Sequence, residues 1–127
     1  MKPDEMKERT MQFAIRIARL IESLLRTRIG RLVEDQLGRA GTGVGANYRA
    51  ACKARSRKEF IAKIGTVEEA DESCFWLEFT VRGELLKPRL VAPLLAEGQQ
   101  LGRIFAKSRK TALANESRSR ALAANRQ

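Results

Sequence analysis

The chain has 127 residues, enough for one domain that buries a core without disulfide or metal staples. It contains no histidine and carries a formal net charge of +10; the first removes the usual general base and the commonest metal ligand, and the second asks for an anionic partner. No run of eighteen apolar residues is present, and the N-terminus MKPDEMKERT lacks the apolar core of a signal peptide, so a cytoplasmic protein with reduced thiols and no membrane partner is expected.

Apolar residues recur near every 3.6 positions in four segments, which predicts four helices over about 4–27, 31–53, 56–83 and 89–111. The first has Phe13, Ile17, Leu20, Ile21 and Leu24 as its stripe, with Arg9, Arg16, Arg19 and Arg26 off it; Gly30 interrupts before the next. The second has Val33, Leu37, Ala40, Val44, Tyr48 and Ala51 in phase across Gly41, Gly43 and Gly45. Glycine disfavours a helix interior by about 1 kcal/mol against alanine. Three so close together signal either a kink or a neighbouring backbone that approaches where side chains are missing.

The third segment opens with Ser56 three residues before Glu59, the spacing of a capping box. Phe60, Ile64, Val67, Cys74, Leu77 and Val81 continue its stripe, widened by Trp76 and Phe79, and Gly83 is read as its stop. The fourth begins at Pro88 or Arg89, with Pro93 tolerable only near its start. Leu90, Leu94, Leu101, Ile104, Phe105 and Ser108 line it. Residues 112–127 are polar and basic and read as a flexible tail. Short connections make successive helices antiparallel, so the expected fold is all-α, an up-down-up-down four-helix bundle over residues 1–111.

Cys52 falls beside the turn before the third helix and Cys74 well along it, too far apart for a disulfide; both read as small core residues. Without histidine there is no Ser-His or Cys-His pair, and two cysteines alone make a poor zinc set; no GxxxxGK(S/T) or GxGxxG phosphate-binding loop is present, since the glycines of GTGVG interrupt a helical stripe. The carboxylates Glu68, Glu69, Asp71 and Glu72 share one helix and lack metal-binding partners on others. The reading is therefore no enzyme and no cofactor. Asp71 falls on the apolar stripe, where a lone carboxylate is costly, and the register counted through the turn sets it opposite about Gly38, one residue from Arg39; one reading is an Arg39–Asp71 pair, the other an exposed Asp71.

Two basic clusters are the candidate nucleic-acid contacts. Arg49, Lys53, Arg55, Arg57 and Lys58 surround the turn between the second and third helices with no acid among them. Lys107, Arg109 and Lys110, followed by Arg118 and Arg120, lie near the C-terminus and are expected at the opposite end of the bundle, as a separate patch. Neither cluster is interleaved with aromatics, which favours phosphate contact over base stacking. Residues 59–84 are acidic instead, and a chain with basic and acidic faces is suited to pairing with itself. An unidentified acidic protein partner is the alternative to RNA or DNA.

The stretch from Gln36-Leu37 and Arg39 through Val44-Gly45-Ala46-Asn47, Ser56, Lys58-Glu59-Phe60-Ile61 and Glu69–Glu78, with Ile104–Ala112 in the last helix, resembles the bacterial four-helix-bundle proteins first noted in intervening sequences of large-subunit ribosomal RNA genes. The likeness spans roughly residues 8–112. It implies an up-and-down bundle, a homopentamer around a central channel, a structural role for Asn47 and no established enzymatic activity. A related branch, the accessory proteins of diversity-generating retroelements, binds nucleic acid and a reverse transcriptase. Many relatives carry Glu-Gly soon after the asparagine; this chain has Ala50-Ala51, so no role tied to that glutamate carries over.

Overall fold

The structure is a computed structural model that describes residues 1–126. Among those residues the chain is all-α, with five helices: α1 (Pro3–Ile21), α2 (Arg28–Cys52), α3 (Arg57–Lys63), α4 (Thr66–Arg82) and α5 (Pro88–Asn125). The four long ones enclose one core, α1 against α2, α2 against α4, α4 against α5 and α5 back against α1, with the backbones of α1 and α4 kept apart across it. Phe13, Ile17, Val33, Leu37, Val44, Leu77, Leu101 and Phe105 are fully buried between them.

α1 stops at Ile21, short of the expected residue 27, because Thr27 serves the next helix. Its side chain accepts a hydrogen bond from the Gly30 amide at 3.0 Å and caps α2. Gly30 is thus part of the first turn of α2 rather than a break. α2 runs unbroken through its glycines. A Cβ on Gly41 would lie 2.8 Å from two carbons of the buried Ile17, and one on Gly45 would meet Thr10 at 3.2 Å. The poor local propensity is offset by close packing of α1 on α2. Gly38 faces Ile21, Gly41 faces Ile17 and Gly45 faces Thr10, so the two chains run in opposite directions.

The expected third helix is two helices. Ser56 caps α3, its side chain accepting from the Glu59 amide at 3.0 Å, and the Glu59 carboxylate accepts from the Arg55 amide. At Ile64 the backbone leaves the helix with ψ of 56°, and α4 restarts after Gly65. Glycine followed by two β-branched residues is the weakest helical stretch of the segment. The restart turns α4 about its axis. Thr66, Ala70, Ser73, Leu77 and Thr80 now face the core, while Val67, Cys74 and Val81 are only half-buried and Phe75 is exposed. Ser73 and Thr80 tolerate burial because their hydroxyls donate to the carbonyls of Glu69 and Trp76, one turn back, at 2.8 and 2.7 Å.

α4 ends at Gly83, but the residue in the left-handed region is Glu84, with φ of 60°. The Leu85 amide reaches back to the Thr80 carbonyl at 2.9 Å, closing the turn. α5 starts on Pro88, carries Pro93 on its exposed side, and continues to Asn125, well past the expected end at residue 111. Residues 112–126 were expected as a flexible tail and are helical to Asn125; Gln127 lies outside the described residues. The segment is rich in alanine, a strong helix former, which accounts for the continuation. Leu90, expected on the core stripe, is exposed, and Val91 is buried in its place.

Two outcomes follow. Gly41→Ala should lower stability by about 1–3 kcal/mol through overpacking against Ile17. Gly43→Ala, which meets only the flexible end of Glu69, should be neutral or stabilising through helix propensity; urea unfolding separates the two. Glu84→Gly should stabilise by about 1 kcal/mol by relieving the left-handed backbone, read in the same assay.

Candidate nucleic-acid interface

The two basic clusters meet at one end of the molecule. α5 returns along α4: Gly98 lies against Cys74, Gly102 against Ala70 and Asp71, and Arg109 against Glu68 and Ile64. Beyond that level α5 reaches α3, where the Arg57 guanidinium donates to the Asn115 carbonyl at 2.9 Å and the Ser119 hydroxyl at 2.8 Å. The expectation of two separate patches is therefore corrected. Two long helices that each run antiparallel to α4 finish together, so the C-terminal part of α5 comes down beside the α2–α3 corner.

Within this end the basic residues have different roles. Arg109 is committed to structure. Its two terminal nitrogens each donate to a Glu68 carboxylate oxygen at 2.7 Å, and one also donates to the Ile64 carbonyl at 2.8 Å. The pairing raises the Arg109 pKa and lowers that of Glu68. Arg57 is likewise held, with Glu116 at 3.8 Å in addition to its bonds to α5. Arg49, Lys53, Arg55, Lys58, Lys107 and Lys110 are exposed and make no salt bridge among the described residues. Arg103 and Arg118 lie on the same outward side of α5 as Lys107 and Lys110 and extend the positive stripe. At 1.5 Å per residue α5 is about 57 Å long, roughly 20 Å longer than α2, so the stripe continues beyond the core. A groove of about 470 Å³ between α3 and α5 is lined by Arg57, Ile104, Lys107, Ser108, Thr111 and Asn115.

The internal polar residues are placed differently from the register count. Asp71 is exposed and lies over Gly102 of α5; it makes no pair with Arg39, which is also exposed. Arg39 acts instead on Glu69, which covers Gly43 of α2. Burial raises the Glu69 pKa more than Arg39 lowers it. The count failed because it ran through a helix that is broken at Ile64–Gly65. Asn47 sits beside Gly65, at the start of α4. Both cysteines are free, but only Cys74 packs inward; Cys52, expected in the core, is exposed at the end of α2. Burial, helped by Asp71 and Glu78, pushes the Cys74 thiol up to about 11. Burial and the neighbouring Cys52 push Tyr48, stacked 5.4 Å from Phe105, up to about 12. Among the described residues no group of three or more Cys, Asp or Glu is placed to hold a metal ion, and no helix is long and apolar enough to cross a membrane.

The Glu68 carboxylate sits below its ordinary value of 4.5 because of Arg109. Its stabilising effect is complete above that value and is lost as pH falls through the lowered one. Glu68→Gln should cost under about 1 kcal/mol at pH 7, since the pair is largely exposed. The variant and the native chain should converge in stability at strongly acid pH, as followed by urea unfolding.

A solved structure of similar fold is that of a protein of unknown function from the S23 ribosomal protein family of Bacteroides thetaiotaomicron. It is 30% identical with a TM-score of 0.78, and the match covers 87% of this chain and 99% of the other. No family model and no curated protein matches the chain.

Proposed function

The chain belongs to the S23 ribosomal protein family, and on that footing we propose that it is a non-enzymatic homo-oligomer of the cytoplasm that binds RNA or DNA non-specifically through phosphates, as an accessory factor. We identify the family with the intervening-sequence proteins that the sequence resembles, and its four long helices with their up-down-up-down bundle. The resemblance supplies the copy number, five. The observation that carries the nucleic-acid reading is the convergence of the α2–α3 corner and distal α5. This sets Lys53, Arg55, Lys58, Lys107 and Lys110, all without internal salt bridges, at one end of the molecule. A long positive stripe with no exposed aromatic among its lysines suits a phosphate backbone and offers no base-stacking platform.

The test is binding of labelled single- and double-stranded RNA and DNA across a salt series. Affinity should fall steeply, by about a thousandfold between 50 and 200 mM salt if six phosphates are engaged, and be nearly independent of sequence. Reversing Arg55, Lys58, Lys107 and Lys110 to Glu together should weaken binding by about tenfold or more and flatten the slope. These side chains are exposed and make no internal salt bridge, so the variant should keep its helical content. Salt-independent binding, or none, alongside an acidic protein that co-purifies with the intact oligomer, would favour the protein-scaffold reading.

A further inference from the structure

The end of the molecule opposite the basic corner is formed by two turns. α2 runs against α1, with Gly38 by Ile21 and Gly45 by Thr10, and α4 runs against α2, with Gly65 by Asn47 and Glu69 by Gly43. The α1–α2 turn and the α4–α5 turn therefore finish at the same end. Large apolar side chains protrude there. Leu25 is 76% exposed, Leu90 50%, Ile29 47% and Leu32 42%. Each has an exposed arginine beside it in sequence: Arg26 for Leu25, Arg28 for Ile29, Arg31 for Leu32 and Arg89 for Leu90. Arg82 and Lys87 are exposed at the same end. None of these cations makes a salt bridge among the described residues. Within residues 22–32 and 82–90 the only acids are Glu22 and Glu84, and the next, Glu34 and Asp35, stand further along α2.

The two ends of the molecule thus differ in kind. Around the α2–α3 corner, residues 49–63, cations are exposed and no large apolar side chain is. That combination suits a phosphate chain in water. At the far end, phosphate alone would leave the leucines and Ile29 hydrated. A ligand that satisfies both sets must carry anionic groups directly above hydrocarbon. An anionic lipid surface does so, with its phosphates just outside the acyl boundary. Arginine suits that boundary, because its stem lies along apolar surface while its planar guanidinium pairs with phosphate. A largely apolar groove of about 680 Å³, lined by Leu85, Leu86, Pro88 and Leu90 together with Lys87 and Arg89, continues the same chemistry. The protruding side chains are divided between two turns. A helical peptide binds along one continuous groove, whereas a fluid interface takes up separate side chains wherever they project.

We propose that this end docks on an anionic lipid surface, with Leu25, Ile29 and Leu90 entering the acyl boundary and Arg26, Arg28 and Arg89 on the lipid phosphates. The expectation of no membrane partner rested on the absence of a span and of a signal peptide, and a surface contact requires neither. Docked in this way the bundle stands with its helices steep to the surface. The α2–α3 corner and distal α5 then point away from the lipid, free for another ligand. Attachment of one copy is reversible, since even a single acyl chain holds a protein to a membrane only marginally.

The experiment is flotation of the full chain, freed of nucleic acid, with vesicles of phosphatidylcholine alone or with about one-third phosphatidylglycerol. Circular dichroism checks folding. The native chain should float with the anionic vesicles and stay behind with the neutral ones. Leu25→Ser with Leu90→Ser keeps every charge and should lower the partition coefficient about tenfold or more; Leu25→Ser alone serves if the pair fails to fold. Arg26→Gln with Arg89→Gln should lower it about tenfold as well. A native chain that does not float, or that floats equally with neutral vesicles, overturns the proposal. So does flotation that survives the leucine substitutions and is lost when Arg55, Lys58, Lys107 and Lys110 are reversed to Glu, because the vesicles are then held by the other end. A fluorescent amphipathic helix of leucine and glutamate is the second probe. If a chain that does not float binds it, and loses it with the two leucines, the end belongs to an acidic protein and the lipid surface is overturned.

Discussion

Arg109 spans the point on which the rest of the architecture turns. Where the backbone leaves the helix at Ile64, a carbonyl is freed inside the protein, and an unpaired buried carbonyl costs about as much as a lost hydrogen bond. The guanidinium of Arg109 takes that carbonyl and both oxygens of Glu68 together. One side chain of α5 thus ties the end of α3 to the start of α4. Because the break is held, α3 can fold away onto α5, and α4 can begin again with a different face toward the core. The joined basic end and the outward-facing Phe75 are both consequences of this one discontinuity.

The first half of the fold was legible because its signals were independent of tertiary detail. Phe13, Ile17, Val33, Leu37 and Val44 are core residues in the stripe and core residues in the structure. The glycines of α2 were legible as missing side chains; that Ile17 fills the space opposite Gly41 is a fact of packing. α4 misled because periodicity locates an apolar stripe without saying what it is apolar for. Phe75 is large and apolar and faces outward, and Trp76 and Phe79 are only half-buried, while Thr66, Ser73 and Thr80 are small and polar and face inward. Two of those hydroxyls bond to their own helix, a pairing that composition does not reveal. The Gly65-Thr66-Val67 run was the available sign of the break. It was outweighed by a stripe that happened to stay near phase across it.

The candidate site was legible in its membership and not in its arrangement. The basic clusters stand out from the residue order alone, but which of their members are free depends on contacts across the fold. Arg57 and Arg109 look like their neighbours in sequence and are held by α5 and by Glu68 in space. The joining of the clusters followed from chain direction, since α5 and α2 each run against α4 and so end together. Cys52 was misplaced and the Arg39–Asp71 pairing failed, leaving Asp71 exposed, for a common reason: a residue near a helix end or a break has its facing set by the local turn, and a long regular period does not carry through it.

Charge is separated in two directions at once, and the two directions bear on one another. Along the helix axes free lysines gather at the α3 and distal α5 end. Across them, exposed acids lie on α4 and exposed arginines on α1. If copies associate side by side in a closed ring, every copy keeps the same axial direction. The first separation then repeats around the assembly, and all the basic ends fall on one rim, each with its α5 extension pointing the same way. Each end alone engages a phosphate chain weakly, because a few exposed cations in water contribute little apiece. Held on one rim they act at high effective concentration on a single strand, and the avidity exceeds that of any one copy without a further contact.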